Sequence, residues 1–188
     1  AFAQTKSEYF TWAHHDDIFE PTMIERCVAV LDQRPDVVLA YPRTRVLDAA
    51  GATLGMWSDA LDIPAPEPHL RLRHFFRHRS RLEAQHGIFR REVVARTGLF
   101  GSYPHSDQVF MAEMILQGPF AEIDEPLFCK RHHPGISTEA YKMHDLSSYL
   151  DTKRTTGLAL VRLERLSGFL AAIVRAKLGP VETARCFS

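Results

Sequence analysis

Residues 8–43 constrain the fold more than any other stretch, because strand, helix and strand signals follow one another within about forty residues. "EYFTWA" is a short aromatic run with the composition of a strand. Ile24, Cys27, Val28 and Leu31 then recur at i, i+3, i+4, i+7 and predict the apolar face of a helix. Pro21 is placed where a first helical residue tolerates proline, and Pro35 closes the segment. "DVVLAYPR" is rich in β-branched and apolar residues and predicts a buried strand. A chain that begins this way belongs to the α/β class, with a sheet flanked by helices.

The remaining elements extend the pattern. "LDAAGATLG" predicts a turn with an edge hairpin, and "DIPAPEPH" an extended proline-rich loop. His69 to Arg81 predicts a basic helix whose apolar members are Leu70, Leu72, Phe75 and Phe76. "GIFRREVVARTGLFG" predicts a strand end and a short helix stopped at Gly98, and "SDQVFMAEMILQG" a helix with Ser106 as N-cap. Two short strands, "FAEI" and "LFCKR", lead into "HHPGIST". From Leu146 to Leu178 the tail predicts an amphipathic helix, with Leu163, Leu166, Leu170, Ile173 and Val174 on one face and Arg162, Arg165, Arg175 and Lys177 around it.

Composition excludes several classes. Lys plus Arg and Asp plus Glu both number 23, and this balance argues against a dedicated nucleic-acid binder. Three widely spaced cysteines, Cys27, Cys129 and Cys186, argue against a disulfide framework or structural zinc and fit a reducing cytoplasm. The longest apolar run, "FLAAIV", is far too short to span a bilayer.

The chemistry concentrates in "HHDDIFEP", residues 14–21. Carboxylates ahead of a helix commonly cap it. With Pro21 as the first helical residue, however, Asp16 and Asp17 lie too early for its amides. The other reading is metal binding: paired carboxylates at the end of a strand in an open α/β sheet suit Mg²⁺ or Mn²⁺, which commonly also bind substrate phosphates. His14 and His15 stand beside them, with His14 and Asp16 sent to one side by strand alternation. Gly87 either relieves crowding in a strand or permits close backbone approach to a ligand, and Trp57 is either core or a stacking platform.

The pattern "EYFTWAHHDDIFEPTMIERCVAVLDQRPDVVLAYPR" resembles the second half of the inverting family 2 glycosyltransferases of GT-A fold. In those enzymes an aromatic strand leads into an Asp-X-Asp motif and a helix–strand unit. The later segment "GIFRREVVARTGLFGSYPHSDQVFMAEMILQGPFAEIDEPLFCKRHHPGIST" is similar to their acceptor side, and the likeness covers roughly residues 5–140. It implies a GT-A-like mixed sheet in residues 1–140, with a helical C-terminal extension over 141–188. It implies Mn²⁺ or Mg²⁺ as cofactor, held by Asp16 and His133, with His14 a further candidate. Asp17 and Arg131 join the donor-diphosphate site, Asp107 is the general base, and Gly87, Arg90 and Trp57 stand on the acceptor or sugar side. The implied partners are a nucleotide-sugar donor and a glycan or lipid-linked acceptor, with no nucleic acid. The implied location is the cytoplasm, with the C-terminal helix as a surface for peripheral contact at the inner face of the membrane. Three departures mark the chain. His14 replaces the motif's first Asp, Ser106 precedes the base where Glu is usual, and the half that grips the nucleotide is expected to be missing before Ala1. These departures keep two alternatives open: a non-catalytic carbohydrate-binding or scaffolding remnant of the fold, and a His/Asp metallohydrolase.

Overall fold

In the computed structural model, residues 2–79, 81–133 and 158–188 are described. Two long strands, β3 (Leu39–Leu47) and β6 (Phe120–Arg131), run parallel at the centre of one sheet. β1 (Tyr9–Phe10), β2 (Ile18–Phe19), β4 (Thr53–Trp57) and β5 (Ile88–Arg90) complete it. The order is β1-β5-β3-β6-β2, and β4 forms a hairpin with the second half of β3. All pairings except β3–β6 are antiparallel, so the sheet is mixed. The coarse α/β expectation is met by this architecture.

Helices cover both faces. On one side α1 (Met23–Gln33) buries Met23, Cys27 and Leu31 with Val37, Ala40, Ile88, Ala121 and Phe128. On the other, α2 (Pro68–His78), α4 (Ser106–Gln117) and α5 (Leu158–Arg175) share a larger core that includes Leu39, Phe89, Phe110 and Ile173. The short helix α3 (Arg91–Val94) follows β5, and α6 (Pro180–Cys186) packs on α2. α5 and α6 therefore rest on the sheet-covering helices. The expected boundary at 140/141 lies outside the described residues.

Several sequence expectations are corrected. α1 opens at Met23 with Thr22 at the N-cap, not at Pro21, and its buried face follows Met23, Cys27 and Leu31 while Ile24 is 53% exposed. "FAEI" and "LFCKR" are one strand, because β6 stays paired with β3 across a register irregularity between Pro42 and Thr44 that absorbs the extra residues around Pro126. The first aromatic strand is confined to Tyr9–Phe10. Ser106 is the first helical residue of α4, and His105 stands at the N-cap in a left-handed conformation. α5 buries Val161, Ala172 and Ile173, and the leucine stripe Leu163, Leu166 and Leu170 points to solvent. The reason is steric: α5 approaches α4 through small residues, and a Cβ on Gly168 would lie 2.9 Å from Val109. The part of the expected tail helix over 146–157 lies outside the described residues.

Buried polar groups tie the loops to this frame. Arg71 is 4% exposed and donates to the carbonyls of Ala65, Pro66, Ile115 and Leu116, which staples the proline-rich loop to the end of α4. Asp59 accepts the Trp57 indole N–H and the backbone N–H groups of Leu82 and Ala84, fixing the 3₁₀ turn Glu83–His86. The basic segment expected on α2 is thus partly a structural clamp.

Candidate functional site

Segment 11–17 is positioned by the strands on either side of it. β1 pairs with β5 at one edge of the sheet, and β2 pairs with β6 at the other. Four strand spacings separate those edges, about 19 Å. Eight residue steps from Phe10 to Ile18 reach at most about 26–29 Å. The chain crosses the sheet within those eight steps, bending at residues 15–17, and it carries His14, Asp16 and Asp17 over the strands between.

Register decides where the aspartates land. Ile18 pairs with Cys129, so the preceding residue, Asp17, comes opposite Lys130. Asp17 Oδ2 accepts from Lys130 Nζ at 2.9 Å, and Oδ1 from the Arg131 backbone N–H at 3.2 Å. His14 Nδ1 is 3.6 Å from the same carboxylate. The side chain of His14 is about half-exposed, whereas that of Asp17 is fully buried. Burial alone raises its pKa, but His14, Lys130 and the Arg131 amide together hold it well below the usual carboxylate range. Asp16 is less enclosed. Burial pushes its pKa up, and this is outweighed by the hydrogen bond with His133 Nε2, 3.2 Å from Oδ2. Neither carboxylate caps α1, whose first turn holds Glu25. These groups gather at Arg131, the carboxyl end of β6, where open α/β sheets take ligands.

Two further side chains belong here that the sequence reading missed. His86 is 1% exposed, stacks on Phe128 at 4.7 Å and meets the His14 ring edge-on at 4.4 Å. Glu83 lies 3.6 Å from His86 Nε2, and burial pushes its carboxyl up to about 7. The available signal for His86 was its place just before the glycine-led strand, where antiparallel pairing with β1 returns it to the crossing segment. Lys130, likewise not singled out in the sequence, is brought in by the β2–β6 register.

The remaining expected residues stand as follows. Arg131 donates to the Ala49 carbonyl at 3.4 Å while its amide holds Asp17. Arg90 spends its guanidinium on the carbonyls of Leu31, Arg34 and Val37, fastening the end of α1 and the turn after it to β5. Gly87 is packed on β3: an added Cβ would lie 2.5 Å from the Ala40 carbonyl oxygen. The Trp57 indole is bound to Asp59, and the Arg81 guanidinium covers its ring at 4.3 Å. Asp107 sits in the first turn of α4, half-buried, and takes part in none of the contacts around Asp16 and Asp17. Burial raises its pKa, and the Gln108 amide and His105 offset this only in part. An apolar bridge links the two regions: Trp12, from the crossing segment, packs on Phe100 at 4.7 Å and on Phe110 at 6.3 Å, one turn beyond Asp107.

No family model matches this chain, and no curated protein matches it either.

A cavity of about 450 Å³ lined by Asp36, Pro64, Arg71 and Gly118 opens at the start of β6, the opposite end of that strand from Arg131. It is remote from the titratable groups just described. Among the described residues no helix is long and apolar enough to cross a membrane.

Proposed function

We propose that this chain is the metal-binding and acceptor-side part of a GT-A-like inverting glycosyltransferase, which moves a sugar from a nucleotide-diphosphate donor to an acceptor hydroxyl. One observation carries the proposal: segment 11–17 crosses the sheet and sets Asp16 against His133 and Asp17 against Arg131, at the carboxyl end of β6. An oxygen donor and an imidazole nitrogen standing side by side suit a divalent cation, Mn²⁺ more readily than Mg²⁺. That ion would be held by Asp16 and His133, and it supplies Lewis-acid neutralisation of the leaving diphosphate.

The chain's own residues do the rest. Lys130 and Arg131 add fixed positive charge beside the diphosphate. Asp107 accepts the proton of the acceptor hydroxyl as that oxygen attacks the anomeric carbon, so displacement proceeds in one step with inversion. Trp12 holds the crossing segment against the α4 side that carries the base. The acceptor, a glycan or a lipid-linked sugar, approaches from the α4 side.

A second reading is favoured by one specific contact. Lys130 Nζ already lies 2.9 Å from Asp17, so a built-in cation neutralises one carboxylate of the motif. On that reading the fold binds carbohydrate without transferring it. Calorimetric titration with Mn²⁺ and a panel of nucleotide sugars separates the two. Donor binding that needs Mn²⁺ and disappears in Asp16→Ala supports the transferase. Metal-independent binding of a free glycan, unchanged in Asp16→Ala, supports the carbohydrate-binding remnant.

A further inference from the structure

We propose that His14, Asp17 and His86 form a separate divalent-metal site that selects Zn²⁺ or Co²⁺ over Mg²⁺. It shares the crossing segment with the Asp16–His133 pair but none of its ligands. The inference does not depend on glycosyl transfer.

The decisive group is His86. Its side chain is 1% exposed, and its Nε2 is buried with no hydrogen-bond partner. Buried polar atoms are rarely left so, because desolvation is not repaid. The other ring nitrogen, Nδ1, lies 3.4 Å from the Trp12 carbonyl oxygen. A carbonyl only accepts, so this contact places the proton on Nδ1 and leaves a lone pair on Nε2. Metal-bound histidines show the same arrangement, one nitrogen donating to a backbone carbonyl and the other facing the ion. The Phe128 ring fixes the plane of the imidazole.

Two more donors converge on that nitrogen's neighbourhood. One ligand atom each from His14, Asp17 and His86 lies within 4.8 Å of the others, and His14 Nδ1 to Asp17 Oδ2 is 3.6 Å. Around a tetrahedral ion with bonds of about 2.0–2.1 Å, donor atoms stand about 3.3 Å apart. The His14–Asp17 pair is already within about 0.3 Å of that spacing, the widest separation needs a contraction of up to about 1.5 Å, and His14, 49% exposed, is the side chain with most freedom to move. Its exposure also provides the route of entry. The fourth position faces Glu83, 3.6 Å from His86 Nε2, or water.

Two imidazoles with one carboxylate form a borderline donor set that favours Zn²⁺ and Co²⁺; Mg²⁺ prefers oxygen ligands and retains its waters. Lys130 is the built-in competitor. Its ammonium shares Asp17 Oδ2, and an entering dication displaces it towards solvent, where its side chain is already 20% exposed. Removal of the Lys130 charge consequently tightens the site.

Titration of the whole chain with CoCl₂ and ZnCl₂ alone, read by the visible absorption of bound Co²⁺ and by calorimetry, tests this. The expected result is one tight equivalent, distinct from any weaker ion at the two-ligand Asp16–His133 pair, with no response to MgCl₂. Affinity falls at least about tenfold in His14→Ala and in Asp17→Asn. It stays within about twofold in His133→Ala and rises several-fold in Lys130→Met. His14 is half-exposed, so His14→Ala is the variant that isolates ligation from folding, and circular dichroism checks it. No Co²⁺ or Zn²⁺ binding by the native chain overturns the proposal. So does binding that survives His14→Ala or is lost in His133→Ala.

Discussion

Asp17 and Asp107, at the two ends of the proposed site, are treated in opposite ways. At the crossing segment, Asp17 is fully buried but receives Lys130, the Arg131 amide and His14, and its pKa is pulled down. At the start of α4, burial pushes Asp107 up, and a backbone amide with one imidazole answers only part of it. Even Glu113, one helix turn and a half further on, is raised by burial although Gly98 and Arg175 both donate to it. Burial is common to all three. The kind and number of donors differ, so Asp17 stays ionised while Asp107 can exchange a proton; Glu83, beside His86 and without such donors, is raised by burial at the first end as well. The division of labour between Asp17 and Asp107 is what metal or diphosphate binding on one side and base catalysis on the other require.

The largest expected effect falls on Asp107. Asp107→Asn should cut transfer by about 10²–10⁴-fold with the fold intact, measured as nucleotide release with and without acceptor. Its raised pKa gives two further consequences. In the native chain the acid limb of kcat/KM should stand above that expected of an ordinary aspartate. The same shift means that the folded state holds the proton more tightly than the unfolded state. Stability from this group is then full below the ordinary pKa and is lost as pH rises through the raised one. Asp107→Asn flattens that slope. An unchanged rate in this variant would remove the base from the α4 side and erase the comparison.

Gly87 comes next. Sequence alone left open whether this glycine lets a sugar approach or simply relieves crowding. Its Cβ position, 2.5 Å from the Ala40 carbonyl and 2.7 Å from Tyr41 Cβ, shows that β3 needs the space. Gly87→Ala should cost about 2–3 kcal/mol in urea unfolding. His86 precedes it, so the same change should also misplace that imidazole.

Asp17→Asn ranks third. Its amide oxygen can still accept from Arg131, but Lys130 loses its countercharge, for an expected cost of about 2 kcal/mol. Asp16→Asn, which forfeits only the contact with His133, should cost less. If the two variants melt alike, the contrast between a fixed and an open carboxylate fails.

How much of this was legible follows from the range of each interaction. Local periodicity placed α2, α4 and the α/β unit, because helices and strands carry their period in neighbouring residues. It failed for α5, where hydrophobicity pointed to the Leu163, Leu166 and Leu170 face. The buried stripe was instead chosen by close approach through Gly168. Asp16 and Asp17 stood out as a pair, but the difference between them depends on β2–β6 register and on Lys130, 113 residues away. Arg90 looked like a functional arginine because its three carbonyl partners lie 53 to 59 residues distant. His86 was missed for the same reason: only β1–β5 pairing brings it to His14.

The smallest expected effect is at His105, and it tests whether the α4 region is held by backbone and apolar packing alone. His105 stands at the N-cap with φ 66°, a left-handed conformation that costs a residue with a Cβ about 1 kcal/mol, and no side chain caps the helix there. Glycine removes the strain but adds freedom to the unfolded chain, so His105→Gly should stabilise by only about 0.5 kcal/mol. The imidazole also lowers the pKa of Asp107 slightly, so its loss should move the acid limb of activity upward. A gain in stability together with that small shift would show that His105 tunes the base without holding the turn. A clear loss of stability would mean that polar contacts organise this region too, and that it differs from the Asp17 side in degree only.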